Sequence, residues 1–163
     1  MKRKIYSLLI LLTFIFTFSS AEAADWVYVG SDKLDNEYYI NTKTITTTKD
    51  SQFKVLYKEK LSPLGKEDFQ ATWSDEYTNT EYACYEMEWL EFRKKNDTVE
   101  VKVLSRSIYN SESKFIGKLY RPYAFHKVKS NSIYMEIYKK ASSVVNSNKM
   151  VNIMDSPLFQ SPF

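Results

Sequence analysis

Tyr82-Ala83-Cys84-Tyr85-Glu86-Met87-Glu88-Trp89-Leu90-Glu91-Phe92 is the stretch on which the fold class turns. Tyr85, Met87 and Trp89 alternate with Cys84, Glu86 and Glu88, which is the period of a half-buried strand, and Leu90 interrupts it as a bulge does. Lys95-Asn96-Asp97-Thr98 then makes a turn, and Val99, Val101 and Val103 alternate with Glu100 and Lys102 on a strand that reaches Tyr109. The two segments form an antiparallel hairpin. On this reading the Tyr85 row faces a core and the glutamates face solvent.

The same period extends the sheet on both sides. Residues 25–30, 37–41 and 52–59 read as three strands, the third with Phe53, Val55 and Tyr57 on one face and Lys54, Leu56 and Lys58 on the other. Residues 62–79 hold Pro63, Gly65 and aromatics four apart (Phe69, Trp73, Tyr77), which suits an irregular loop or a short helix equally. Downstream, residues 115–120 form a further strand ended by Arg121-Pro122. Ser130-Asn131-Ser132 offers an N-cap to an amphipathic helix over residues 132–143, with Ile133, Ile137 and Ala141 on one face. The expected fold is α+β, an antiparallel sheet of about six strands with one C-terminal helix packed on it. Residues 144–163 read as a flexible tail.

Composition narrows the function classes. The chain has 163 residues, 44% apolar, 16% aromatic and 26% charged, so it has enough apolar surface for a core and is not a disordered type. Three glycines without phosphate-loop spacing, and no strand-helix-strand alternation, argue against a nucleotide-binding sheet. Lys2, Arg3 and Lys4, the largely apolar 14-residue run 5–18, and Ala21-Glu22-Ala23 have the layout of a secretory signal peptide over residues 1–23. The apolar run is shorter than the roughly 20 residues that span a bilayer. No cysteine follows the cleavage site, so lipid anchoring there is not expected, and the working domain is residues 24–143. Cleavage reduces the net charge from +3 to +1, and the remaining lysines alternate with acids. No nucleic-acid partner and no membrane span after cleavage are therefore expected.

Few residues suggest chemistry. One cysteine, Cys84, and one histidine, His126, leave neither a zinc cluster nor a disulfide scaffold within one chain, and no signature around either supports a thiolate-imidazole dyad. Cys84 is read as a buried thiol, with intermolecular pairing as the alternative. Glu86 and Glu88 share a strand face about 6.6 to 7 Å apart by strand rise, which with Glu91 invites a paired-carboxylate or calcium reading. Alternation alone accounts for them as solvent-facing acids, so no catalytic, cofactor or metal residues are assigned. Asn96-Asp97-Thr98 fits the N-glycosylation pattern. The 22 aromatics of the processed chain, 12 of them tyrosines, suit either strand packing or contacts with proteins or glycans.

Trp26-Val27-Tyr28-Val29-Gly30, Tyr38-Tyr39-Ile40-Asn41 with Ile45, the strand from Lys54 to Glu59, Val103-Leu104-Ser105 with Tyr109 and Phe115-Ile116, and the helix from Ser132 to Tyr138 resemble, in order, the surface-adhesin protein E-like family of bacterial envelope proteins. The resemblance covers most of residues 25–141. It implies an antiparallel sheet with a packed helix and, from its best-described members, adhesion to host matrix proteins. It also implies a cysteine pair, of which Cys84 would be one; Lys139-Lys140-Ala141 stand where the second would lie. The expectation is an exported, non-enzymatic binding or adhesion module of the cell envelope or surface, contacting a protein partner or itself, without cofactors. The alternative is an exported small-ligand carrier or enzyme whose site is dispersed, with Glu86, Glu88 or His126 in it.

Overall fold

The computed structural model describes residues 25–49, 51–75, 79–119 and 124–154. Strands β1 (Trp26–Ser31), β2 (Glu37–Lys49), β3 (Gln52–Lys60), β4 (Tyr85–Lys95), β5 (Thr98–Tyr109) and β6 (Phe115–Leu119) lie side by side in chain order, each antiparallel to the last. A two-residue strand, β7 (His126–Lys127), adds to β5 beyond the end of β6. The architecture is the expected α+β fold, with seven strands instead of six. The central hairpin turns at Asn96, whose φ of 55° is in the left-handed region that asparagine tolerates.

Among the described residues two helices accompany the sheet, α1 (Pro63–Trp73) and α2 (Ile133–Met154), with a 3-10 turn at Thr80–Tyr82. Residues 63–73 are thus a helix and not a loop. Ser62 caps it by accepting from the Gly65 N–H at 2.9 Å, and Pro63 fills the first helical position, where no N–H is needed. Phe69 and Trp73, one turn apart, face Leu61, Ala83 and Ile108. α2 runs eleven residues past the expected end, which corrects the tail assignment for residues 144–154. Val145 continues the Ile137 and Ala141 stripe against the core, so the helix has an apolar face to bury there. Residues 1–23 and 155–163 lie outside the described residues.

The hairpin faces the opposite way from the expectation. Glu86, Glu88, Leu90 and Phe92 are buried, and Tyr85, Met87 and Trp89 occupy the other face half-exposed. The cause is register: Phe92, Leu90, Glu88 and Glu86 stand opposite Phe53, Val55, Tyr57 and Glu59 of β3, whose apolar row fixes the inner face. The pairing does shift at Trp89/Leu90, but the extra residue is Leu104 on β5, because Trp89 faces Ser105 while Leu90 faces Val103. The bulge moves β5 from odd to even inward positions. Val99, Val101 and Val103 point in, and then Arg106 and Ile108 do.

Both helices cover this one face. Ile137 and Ala141 of α2 pack with Ile40, Val55, Leu90 and Phe92, and α1 caps a second, smaller cluster around Ile108. No helix among the described residues is long and apolar enough to cross a membrane.

Ile137→Ala removes a fully buried side chain from the larger cluster. It is expected to destabilise the fold by about 2–5 kcal/mol, read from urea unfolding, while Lys140→Ala on the exposed side of α2 changes it by about 0.5 kcal/mol at most.

Candidate functional site

The two apolar clusters are separated by a polar seam. Across the inner face, Tyr57 of β3, Glu88 of β4 and Arg106 of β5 form one row, and Glu59, Glu86 and Ile108 form the next. Glu88 is fully buried and Glu86 is 3% exposed. Arg106 Nε donates to Glu88 Oε1 and lies 3.5 Å from Glu86 Oε2, and the guanidinium sits over the Trp73 ring at 4.9 Å. Tyr134 from α2 donates to the other Glu88 oxygen at 3.5 Å.

Glu59 is held from the β1–β2 connection. Asn36 Nδ2 and Tyr38 OH reach its Oε1 at 2.9 and 3.0 Å, and both also reach Asp32 Oδ2, at 3.2 and 2.8 Å. The tyrosine has one proton for two carboxylates, so the network is short of donors. Asn36 in turn accepts from the Ser62 N–H at 2.9 Å, which ties this loop to the start of α1. A Cβ on Gly65 would lie 1.7 Å from Asn36 Oδ1, so this approach requires glycine.

Two carboxyl groups, Glu86 and Glu88, therefore share one guanidinium, and a third, Glu59, stands beside Glu86 across the ladder. Burial, and next the charge of Glu88, hold the Glu86 carboxyl well above its usual range, and the interaction with Glu59 places the proton on Glu86. Glu59 is also raised, by burial. Glu86 Oε2 is a buried side-chain oxygen with no hydrogen-bond partner among the described residues. Beside it, under α1, is a cavity of about 240 Å³ bordered by Glu59, Glu86, Arg106, Phe69 and Trp73, with Asp68 at its exposed rim.

The opposite face of the sheet carries a strip of rings. Tyr28, Tyr39, Lys58, Tyr85, Tyr109 and Phe115 supply one residue from each of β1 to β6. Tyr28 meets Tyr39 edge-on at 5.6 Å, Tyr85 stacks on Tyr109 at 5.0 Å, and Tyr109 meets Phe115 at 5.9 Å. Lys58 Nζ bridges the two halves, 4.7 Å from the Trp26 ring, 5.3 Å from Tyr39 and 5.8 Å from Tyr85. Among the described residues no carboxylate pairs with Lys58, and partial burial, with Lys60 beside it, lowers its affinity for a proton. The strip ends in Tyr28 and Phe115, each 51% exposed.

Of the residues singled out in the sequence, Glu86 and Glu88 come together in the seam, but as buried groups and not on a solvated face. Glu91 lies on the ring-bearing face and accepts from Gln52 Nε2 at 2.9 Å. Cys84 is half-buried, with Lys66 Nζ 3.2 Å from its sulfur. It precedes Tyr85 at one end of β4, whereas His126 is exposed and pairs beside Val101, across from Phe92. Eight residue steps of strand, roughly 26 Å, separate them along the sheet, so they form no dyad. Asn96-Asp97-Thr98 lies at the exposed hairpin turn. Glu59, Arg106 and Lys58 were not anticipated. Among the described residues no group of three or more His, Cys, Asp or Glu side chains is placed to hold a metal ion. Comparison of the chain with family models, with curated proteins and with solved structures finds no match.

Because the folded protein holds a proton on Glu86 that the unfolded chain releases near the usual carboxyl range, this group's contribution is full at low pH and is lost as pH rises. Glu86→Gln keeps the shape and removes that loss. Its stability relative to wild type is expected to increase between pH 4 and pH 8 in urea titrations; a difference independent of pH would refute the assignment.

Proposed function

We propose that the chain is an exported, non-enzymatic binding module of the bacterial cell envelope that takes a protein partner on the ring-bearing face of its sheet. The observation that carries this reading is the strip from Tyr28 to Phe115 with Lys58 at its centre, held among rings and without a carboxylate partner among the described residues. Rigid tyrosine and tryptophan surfaces supply much of the energy at protein interfaces at low entropic cost, and such anchors cluster near the interface centre. Lys58, desolvated among rings and lacking an acidic partner among the described residues, selects a partner carboxylate flanked by apolar side chains. The signal-like residues 1–23 and the resemblance to envelope adhesins support the same assignment.

Surface binding of the purified chain to a panel of host matrix proteins tests it. At least one is expected to bind at micromolar concentration, with Lys58→Glu weakening it by about tenfold or more and Lys140→Glu, on the helix side, leaving it unchanged. Background binding throughout, or equal effects of the two variants, would count against the reading. Export is checked separately by intact mass, which is expected to give a species beginning at Ala24.

A further inference from the structure

The cavity under α1 lies on the other face of the sheet from the ring strip and has its own chemistry. Glu59 and Glu86 are direct neighbours across the β3–β4 ladder and both border it. Glu86 is 3% exposed and its Oε2 has no hydrogen-bond donor among the described residues; Arg106 Nε lies 3.5 Å from it as an ion pair but gives its N–H to Glu88. A buried carboxylate oxygen without a donor is a binding surface for a group that brings one. An anion would meet Glu59, Glu86 and Asp68. No set of side chains there is arranged for a metal ion among the described residues, which leaves a cation with directional N–H groups.

We propose that this cavity binds a small primary ammonium compound whose N–H groups donate to Glu86 and Glu59 and whose apolar body lies against Phe69 and Trp73. An apolar cavity of about 150 Å³ admits benzene, so the 240 Å³ here suits an amine of roughly ten heavy atoms. The Arg106 guanidinium already lies over the Trp73 ring, so the ligand's ammonium is drawn to the carboxyls and its apolar body to the edges of Phe69 and Trp73.

Proton linkage follows from the surroundings of Glu86: Tyr57 and Glu59 from β3, Glu88 on its own strand, Arg106 from β5, Tyr134 from α2, and Asp32 and Tyr38 behind Glu59. The empty cavity keeps a proton on Glu86, and an ammonium displaces it. Binding therefore releases a proton and tightens as pH rises, by up to about tenfold per unit below the pH at which Glu86 ionises unaided.

Isothermal titration of the full chain with phenethylamine and with phenylacetate, two ligands of one shape and opposite charge, tests the proposal. The amine is expected to bind at millimolar concentration or below, more tightly at pH 7 than at pH 5, with proton release seen as a heat that depends on the buffer. Phenylacetate is expected not to bind. Glu86→Gln, which mimics the protonated residue and so preserves the fold, should weaken the amine by tenfold or more. Thr72→Trp, at the exposed rim, should do the same by filling the space. Preference for phenylacetate, no amine binding at 10 mM, or wild-type affinity in both variants overturns the proposal.

Discussion

Arg106 is shared by Glu86 and Glu88 beneath the helices, and the inner face of the sheet is arranged around that shortage of positive charge. Taking two carboxyls and a guanidinium out of water is unfavourable unless charges pair and remaining lone pairs find donors. Glu88 meets both conditions, through Arg106 and Tyr134. Glu86 does not, and it stays in the fold by keeping its proton. The proton on Glu86 is thus a structural component of the seam, set by the ratio of acids to bases around it.

The bulge at Leu104 makes this arrangement possible. In an unbroken β5 the residues opposite Glu88 and Glu86 would be those of odd number, Ser105 and Ser107, and Arg106 would point to the ring-bearing face. One extra residue swaps them, bringing the guanidinium inward and sending the two serines out. The same shift places Ile108 over the second apolar cluster. A single inserted residue therefore determines both the charge balance of the seam and the anchoring of α1.

The antiparallel sheet and the late helix were legible because alternation, turn residues and a helical apolar stripe are local signals. The facing of β4 was not. Tyr85, Met87 and Trp89 are the more apolar set over half the strand, and a rule that puts apolar residues inside chooses them. The opposing signal was present but weaker: Leu90 and Phe92 share the parity of Glu86 and Glu88, and β3 carries Phe53, Val55 and Tyr57 as its strongest row. Read together, these require the glutamates to be inside. Arg106 could not be placed with them from the sequence, because the position of a bulge on β5 depends on pairing with β4. The length of α2 was visible in Val145, but the serines and asparagines around it masked the stripe.

α1 explains why a cavity persists beside charged groups that would gain from closure. Its N-terminal end is fixed by polar contacts, Ser62 to Asn36 and the glycine that lets Asn36 approach, and its far end by Phe69 and Trp73 on the Ile108 cluster. Between these anchors the helix passes over Glu86, whose Oε2 has no hydrogen-bond partner among the described residues. Lowering the helix would crowd Gly65 against Asn36; replacing the seam with apolar residues of equal volume is often neutral or stabilising in other proteins. The open space over Glu86 is thus set by the two anchors, and the seam contributes less to stability than to the character of the cavity it lines.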